Sequence, residues 1–415
     1  MMKSIIEELK QRDLLNQITN EEKLLNAQKD NAGVYCGFDP TADSLHIGHI
    51  IPLINLKRFQ DFGFKPILIL GGATGMIGDP SFKNTERVLL TLDKVKENVE
   101  SIRKQVTKII PSIEVVDNNE WLGKMSLIDF LRIIGKDFNL AYLLAKENIA
   151  TRIEKGLSVT EFSYTMLQGY DFYQLYSTRD CRIQFGGSDQ WGNITSGTDY
   201  IASKVGRENS KAAGVTFKLL TKKDGGKFGK SETGTIWLDA NKTSEYELYQ
   251  FFVNQDDDDV ETFLKHLTTL ELEEIDKILT EHKKEPFKRL AQKRLGQEVV
   301  SWVHGQEGYQ KAIKITEAIF SGDIESLNES ELKAICLSIP NSSSQLDLKF
   351  IDFLVSSKIA SSNREARELI RDKSITIKGR NDFKEDEIIG KNFIYFGKTI
   401  IVKKGKKKYF SVKCS

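Results

Sequence analysis

From Gly33 to about Leu220 the chain alternates short apolar runs with longer stretches of helical character, and this limits its fold more than any other feature. GVYCGF at 33–38, KPILIL at 65–70, IEVVD at 113–117 and IQFGG at 183–187 read as buried strands. Segments such as 46–62 and 126–138 lie between them and read as helices. That order predicts an α/β architecture, a doubly wound parallel sheet with ligands at the carboxyl ends of its strands. The glycine-rich run at 71–80 follows one such strand, where a binding loop belongs.

At 415 residues the chain exceeds one ordinary core, and two or three domains are expected. From about 244 to 321 the pattern is helical, and the acidic run 256–259 reads as a loop or helix start. The segment 339–345, IPNSSSQ, has the composition of a linker. Beyond it, 349–356 reads as a helix, Ser362 and Glu365 have the spacing of a capping box, and 375–379 alternates like an edge strand. Residues 346–415 hold 17 basic and 9 acidic side chains, net +8, against net −7 for the rest. A basic module on an acidic body points to a polyanion, and nucleic acid is the first candidate. No apolar stretch approaches the roughly 20 residues a membrane span needs. The amino-terminal segment is unlike a secretory signal, and Cys36, Cys181, Cys336 and Cys414 are too scattered for a disulfide scaffold, so the cytoplasm is expected.

Two short motifs carry the chemistry. In His46-Ile47-Gly48-His49, preceded by Asp43 and Ser44 as expected N-caps, both imidazoles fall at a helix start after the first strand. Unpaired N–H groups there attract phosphate and disfavour imidazolium, so the histidines are expected to be neutral donors. Gly48, lacking a Cβ, leaves room for a flat base or ribose, and Pro52 is expected to bend the helix. The second motif, Lys227-Phe228-Gly229-Lys230-Ser231, sits in a glycine-rich cationic loop. It narrowly fails the P-loop pattern, because Asp224 stands where a glycine is required. Two lysines at this spacing suit the neutralisation of departing pyrophosphate.

Together the motifs resemble the two signatures of class I aminoacyl-tRNA synthetases. The flanking text at 35–45, 71–80 and 186–193 is similar to the bacterial tyrosyl-tRNA synthetases, and the likeness runs over essentially the whole chain. Phe228 and Gly229 depart from the commoner Lys-Met-Ser-Lys-Ser form in the manner of the tyrosine enzymes. The resemblance implies a Rossmann-like catalytic domain at 1–220, then the signature loop with an α-helical domain at 221–325. A linker at 326–346 and a small basic α+β RNA-binding domain at 347–415 would follow. It implies that Tyr35 and Asp171 bond the phenol of tyrosine, that Asp79, Tyr164 and Gln168 hold its ammonium, and that Gln190 lies by its carboxylate. Cys36, His49 and Asp189 would contact the ribose, with Gly37, Asp39 and Gly48 also lining the ATP site. Thr41 and His46 would bind the γ-phosphate, helped by Lys83, Arg87, Lys227, Lys230 and Ser231.

The implied reaction has two steps: tyrosine and ATP give tyrosyl-adenylate and pyrophosphate, and the tyrosyl group then passes to the 3′ end of a tRNA. ATP with Mg2+ is expected as substrate, with no tightly bound cofactor, no protein metal site, and a homodimer as the assembly. A phenylalanine substrate would leave Tyr35 and Asp171 unpaired, so it should be rejected without editing. The alternatives are an inactive synthetase-like RNA-binding protein, a tryptophan-specific relative, or a cofactor-pathway adenylyltransferase. Tyr35 paired with Asp171 favours a phenol, intact histidines and lysines favour activity, and the basic tail favours RNA.

Overall fold

The structure is a computed structural model that describes residues 3–79, 90–153, 156–221, 223, 228, 230–231, 234–405 and 408–415. The chain groups into two compact units, Met1–Leu238 with Asp256–Ala291, and Asp239–Gln255 with Gln292–Ser415. These limits differ from the four segments read from the sequence, because the helical middle is shared between both units.

The first unit is built on a six-stranded sheet. In chain order its elements begin with α1 (Ile5–Gln11), β1 (Leu15–Ile18), α2 (Glu21–Lys29), β2 (Gly33–Phe38), α3 (Ile50–Asp61), β3 (Lys65–Leu70), α4 (Leu92–Ile109) and β4 (Glu114–Asp117). After the helix Val159–Arg179 come β5 (Cys181–Gly187), the helix Trp191–Val205 and β6 (Ala213–Phe217). The spatial order is β1-β6-β5-β2-β3-β4, parallel except for β1. Strands β2 to β4 advance toward one edge and β5 and β6 toward the other. The order therefore reverses between β2 and β5, and this switch point is where a ligand crevice opens. Strand β2 (GVYCGF) is buried at five of its six residues, as a central strand covered on both faces must be.

The expected helix at 126–138 is broken into a short α turn, a π-type turn at Phe130–Ile134 and a 3-10 turn at Gly135–Asp137. The Ile133 carbonyl accepts from Tyr200 Oη at 3.1 Å and Lys204 Nζ at 3.2 Å, which competes with the helical ladder. The acidic run is a helix start, with Asp256 immediately before the helix Asp257–Leu267 and making no side-chain capping bond. Pro52 does not interrupt a helix, because α3 begins at Ile50 and the missing N–H falls among first-turn groups that have no helical partner. Among the described residues, no helix is long and apolar enough to cross a membrane.

In the second unit, part of the expected linker is ordered structure. It holds the helix Glu329–Ser338 and the strand Asn341–Ser344, which pairs in parallel with the strand Lys408–Cys414. That polar segment becomes a strand through its partner's ladder, which its composition does not signal. Lys408–Cys414 forms a hairpin with Thr399–Lys404, and its two faces serve different cores. Ile400, Val402 and Val412 pack against Phe350, Phe353 and Ile375, while Ile401 and Tyr409 pack with Ile315, Leu332 and Ile335. The expected capping box at Ser362 is half formed. Ser362 Oγ accepts the Glu365 N–H at 3.3 Å, but Glu365 Oε2 reaches the Ser361 N–H at 2.7 Å instead. Because Ile401 is fully buried on one face of this hairpin, Ile401→Ala should cost about 2–5 kcal/mol in urea denaturation. A cost near zero would mean that the face is not packed.

Candidate active site

A cavity of about 420 Å3 opens at the switch point, lined from the carboxyl ends of β2 and β5 and from the helix Val159–Arg179. Tyr35, Cys36, Gly37, Asp39, Thr41, His46, His49, Asp79, Tyr164, Gln168, Asp171, Asp189 and Gln190 all line it. These thirteen expected residues come from five separate stretches of chain, and the sheet brings them together.

His46 itself caps the turn Ile47–His49, in place of Asp43 or Ser44; Ser44 Oγ instead donates to the Leu45 carbonyl at 2.9 Å. The sequence reading overlooked that a neutral imidazole nitrogen is a good acceptor for a helix-start N–H. His46 Nδ1 accepts the Gly48 N–H at 3.1 Å, and His49 Nδ1 accepts the His46 N–H at 3.1 Å. Both Nδ1 atoms being acceptors, each neutral ring carries its proton on Nε2. Burial holds both neutral: it lowers the His46 pKa and brings that of His49 to about 3, with the neighbouring His46 adding to the effect. The neutral state was expected, and desolvation by burial is its largest cause. Gly48 is outside the cavity lining, and the reason for a glycine is internal: a Cβ there would meet His46 Cε1 at 2.9 Å.

The first signature meets the segment that follows the second. The Ile47 N–H donates to the Ile236 carbonyl at 2.9 Å, and the Leu238 N–H to the Leu45 carbonyl at 2.8 Å. His46 bridges Trp237, and their rings lie 6.4 Å apart. Just before this, β7 (Lys230–Ser231) pairs with β8 (Gly234–Thr235), so the hairpin of the second motif leads directly into the first. Only the backbone of Lys230 and Ser231 is described. Lys83, Arg87 and Lys227 lie outside the described residues.

At the other end of the cavity, Asp171 is buried and its oxygens accept from Asn118 Nδ2 at 2.9 Å and Trp121 Nε1 at 2.8 Å. Burial outweighs these donors and raises its pKa to about 7. The Tyr35 hydroxyl is buried with no hydrogen-bond partner, and so is Gln168 Oε1. Each such orphan costs about 1–3 kcal/mol, which a ligand group can recover. Asp39 accepts from Thr74 Oγ1 and Tyr164 Oη, both at 3.1 Å. A Cβ at Gly71 would come within 2.4 Å of Asp39 Oδ1, so that turn requires glycine. Gln190 Nε2 donates to Asp79 Oδ2 at 2.9 Å, and Asn193, itself held by Thr165, fixes the Gln190 amide. Among the described residues the lining holds four aspartates and no lysine or arginine, which favours a cationic group here.

Sequence reasoning missed Thr74, Asn118, Trp121 and Asn193, which hold the lining side chains in place. Asn118 follows a strand's carboxyl end, a usable signal, whereas nothing in the sequence marks Trp121.

Residues 27–321 match the class I tRNA synthetases for tryptophan and tyrosine, and the chain belongs to that family. Residues 331–412 match the C-terminal domain described as tyrosine–tRNA ligase SYY-like. The chain is 57% identical over 412 residues to a tyrosine–tRNA ligase of Mycoplasma mycoides subsp. mycoides SC, covering 99% of both chains. It is 47% identical to that of Lactobacillus johnsonii, over 99% of this chain and 98% of the relative. Among solved structures, a C-terminally truncated mitochondrial tyrosyl-tRNA synthetase of Aspergillus nidulans superposes with a TM-score of 0.69 at 30% identity. That likeness covers 77% of this chain and 94% of the other.

Donors stabilise the charged carboxylate, so Trp121→Phe should raise the Asp171 pKa above about 7. Carboxyl-carbon NMR titration of the variant measures it, and an unchanged or lower value would contradict the assigned balance.

Proposed function

We propose that this chain catalyses the tyrosine–tRNA ligase reaction, with the cavity at the switch point as the site of tyrosine activation. The observation that carries this reading is the buried, unpartnered Tyr35 hydroxyl in the same cavity as Asp171, in a chain 57% identical to a tyrosine–tRNA ligase. A phenol supplies one hydroxyl to satisfy both groups, donating to Asp171 and accepting from Tyr35. A tryptophan side chain offers an N–H donor and no acceptor, and leaves Tyr35 unsatisfied. Asp79, Tyr164 and Gln168 take the substrate ammonium, and Gln190 stands by the carboxylate.

In the first step a carboxylate oxygen of tyrosine attacks the α-phosphorus of ATP. The new O–P bond forms as the bond to the β-phosphate oxygen breaks, and pyrophosphate leaves with that electron pair. Thr41 and the Nε2–H of His46 donate to the γ-phosphate, while Lys83, Arg87, Lys227, Lys230 and Ser231 offset the charge on the leaving group. Cys36, His49 and Asp189 bind the ribose, and Gly37 and Asp39 complete the nucleotide pocket. In the second step the 3′-terminal adenosine hydroxyl attacks the acyl carbon and AMP leaves. No side chain acts as nucleophile, so alignment and charge neutralisation supply the rate. Magnesium enters with ATP as part of the substrate.

The basic tail and a groove of about 1420 Å3 in the second unit, lined by Lys333, Lys358 and Lys413 among others, receive the tRNA in the cytoplasm. Binding there weakens as salt rises, because phosphate contacts release counterions. The working assembly is a homodimer. Leu127 is 71% exposed and Val159 85%, and Ile128, Leu131, Leu140 and Tyr142 are also exposed, an apolar surface that a second copy covers.

The reading requires pyrophosphate exchange into ATP that depends on tyrosine and is not supported by phenylalanine or tryptophan. Tyr35→Phe should lower kcat/KM for tyrosine about 10- to 100-fold. Exchange without tyrosine, or none with it, would refute the assignment. Leu127→Asp combined with Leu131→Asp should halve the sedimenting mass in analytical ultracentrifugation, and an unchanged mass would place the interface elsewhere.

A further inference from the structure

The helix Asp257–Leu267 touches the catalytic machinery at both ends, although nothing in its sequence resembles a signature. Its buried stripe, Val260, Phe263, Leu264 and Leu267, packs into the first unit. Near its start, Asp259 Oδ1 accepts the Lys223 N–H at 3.0 Å. One turn on, the fully buried Phe263 ring meets the half-buried Phe228 ring, with centroids 5.1 Å apart and planes at 59°. Past its end, the Thr268 carbonyl accepts from Arg58 Nη2 at 2.8 Å, and Arg58 lies in α3, the helix that follows His46 and His49. One helix thus holds the approach to the second signature and the far end of the first signature's helix.

We propose that Phe228 is a positioning residue for the adenylation step: by docking on Phe263 it fixes where Lys227 and Lys230 are presented. This rests on the reading of the cavity as an adenylation site. Consecutive Cα atoms are about 3.8 Å apart, so pinning Phe228 confines Lys227 to one such step from it and Lys230 to two. The downstream limb is held separately by the backbone bonds of Ile236 and Leu238 to the first signature. Without the aromatic anchor the upstream limb loses its ring contact on Phe263, and the lysines lose part of their alignment with the leaving group. An apolar side chain of similar length at 228, methionine for example, fills the same place against Phe263. The position therefore calls for an anchor and not for chemistry of its own.

The test uses the full chain and compares Phe228→Ala, Phe228→Met, Phe263→Leu and the Ala/Leu double variant. Phe228→Ala should lower kcat for tyrosine-dependent pyrophosphate exchange about tenfold, with the tyrosine dissociation constant within about twofold and the melting temperature unchanged. Phe228→Met should recover the rate to within about threefold of the parent, and the double variant should be no slower than Phe228→Ala, because one contact is lost in both. Phe228→Ala at the parental rate, Phe228→Met as slow as alanine, or fully additive losses would each overturn the proposal. If Phe263→Leu lowers the melting temperature, the alanine–methionine comparison at 228 decides alone. A parent protein with no tyrosine-dependent exchange would instead sink the functional reading beneath it.

Discussion

Two backbone hydrogen bonds, Ile47 N–H to Ile236 and Leu238 N–H to Leu45, are the constraint on which the rest of the catalytic unit depends. They join segments almost two hundred residues apart, and each contributes only about 0.5–1.5 kcal/mol net. Their strength comes from the setting. Leu45, Ile47, Ile236 and Leu238 are all buried, so water cannot compete for these groups and breaking the pair exposes apolar surface as well. With that clasp closed, the hairpin Lys230–Thr235 has a fixed root beside His46.

The opposite end of the cavity is organised by one asparagine. Asn118 accepts from the Ala73 N–H and donates to Thr74 and Asp171, all at 2.9 Å. Thr74 donates to Asp39, which also accepts from Tyr164. The ends of three strands and the face of one helix are thereby joined in a single polar chain. In a low-dielectric interior such a chain strengthens as each member polarises the next. It also leaves Tyr35 outside the chain, with an unpartnered hydroxyl that a substrate can satisfy.

Much of this was legible in the sequence, and the limits are instructive. The strands at 33–38 and 65–70 were readable to the residue, because buried parallel strands are continuous apolar runs between turn signals. The site residues that carry a motif were legible, and the cavity gathers most of them. What escaped was decided by long-range partners. The strand Asn341–Ser344 is polar and exists through its neighbour's ladder. The cap of the first signature is the imidazole of His46, a role that propensity assigns to serine or aspartate. Trp121 matters through a single N–H placed fifty residues away in sequence from its acceptor, and no local pattern encodes such a contact.

The hairpin of the carboxyl-terminal region has no solvent side along Ile400–Val402, since alternate residues enter two different apolar clusters. Such an element behaves as a shared wall and not as the edge of a detachable cassette. Grafting this region onto another enzyme, or deleting it, would uncover an oily surface on the helices left behind. Its loss through evolution would therefore demand coordinated repainting of the remaining face, which makes gradual trimming of this protein from its carboxyl terminus a difficult route.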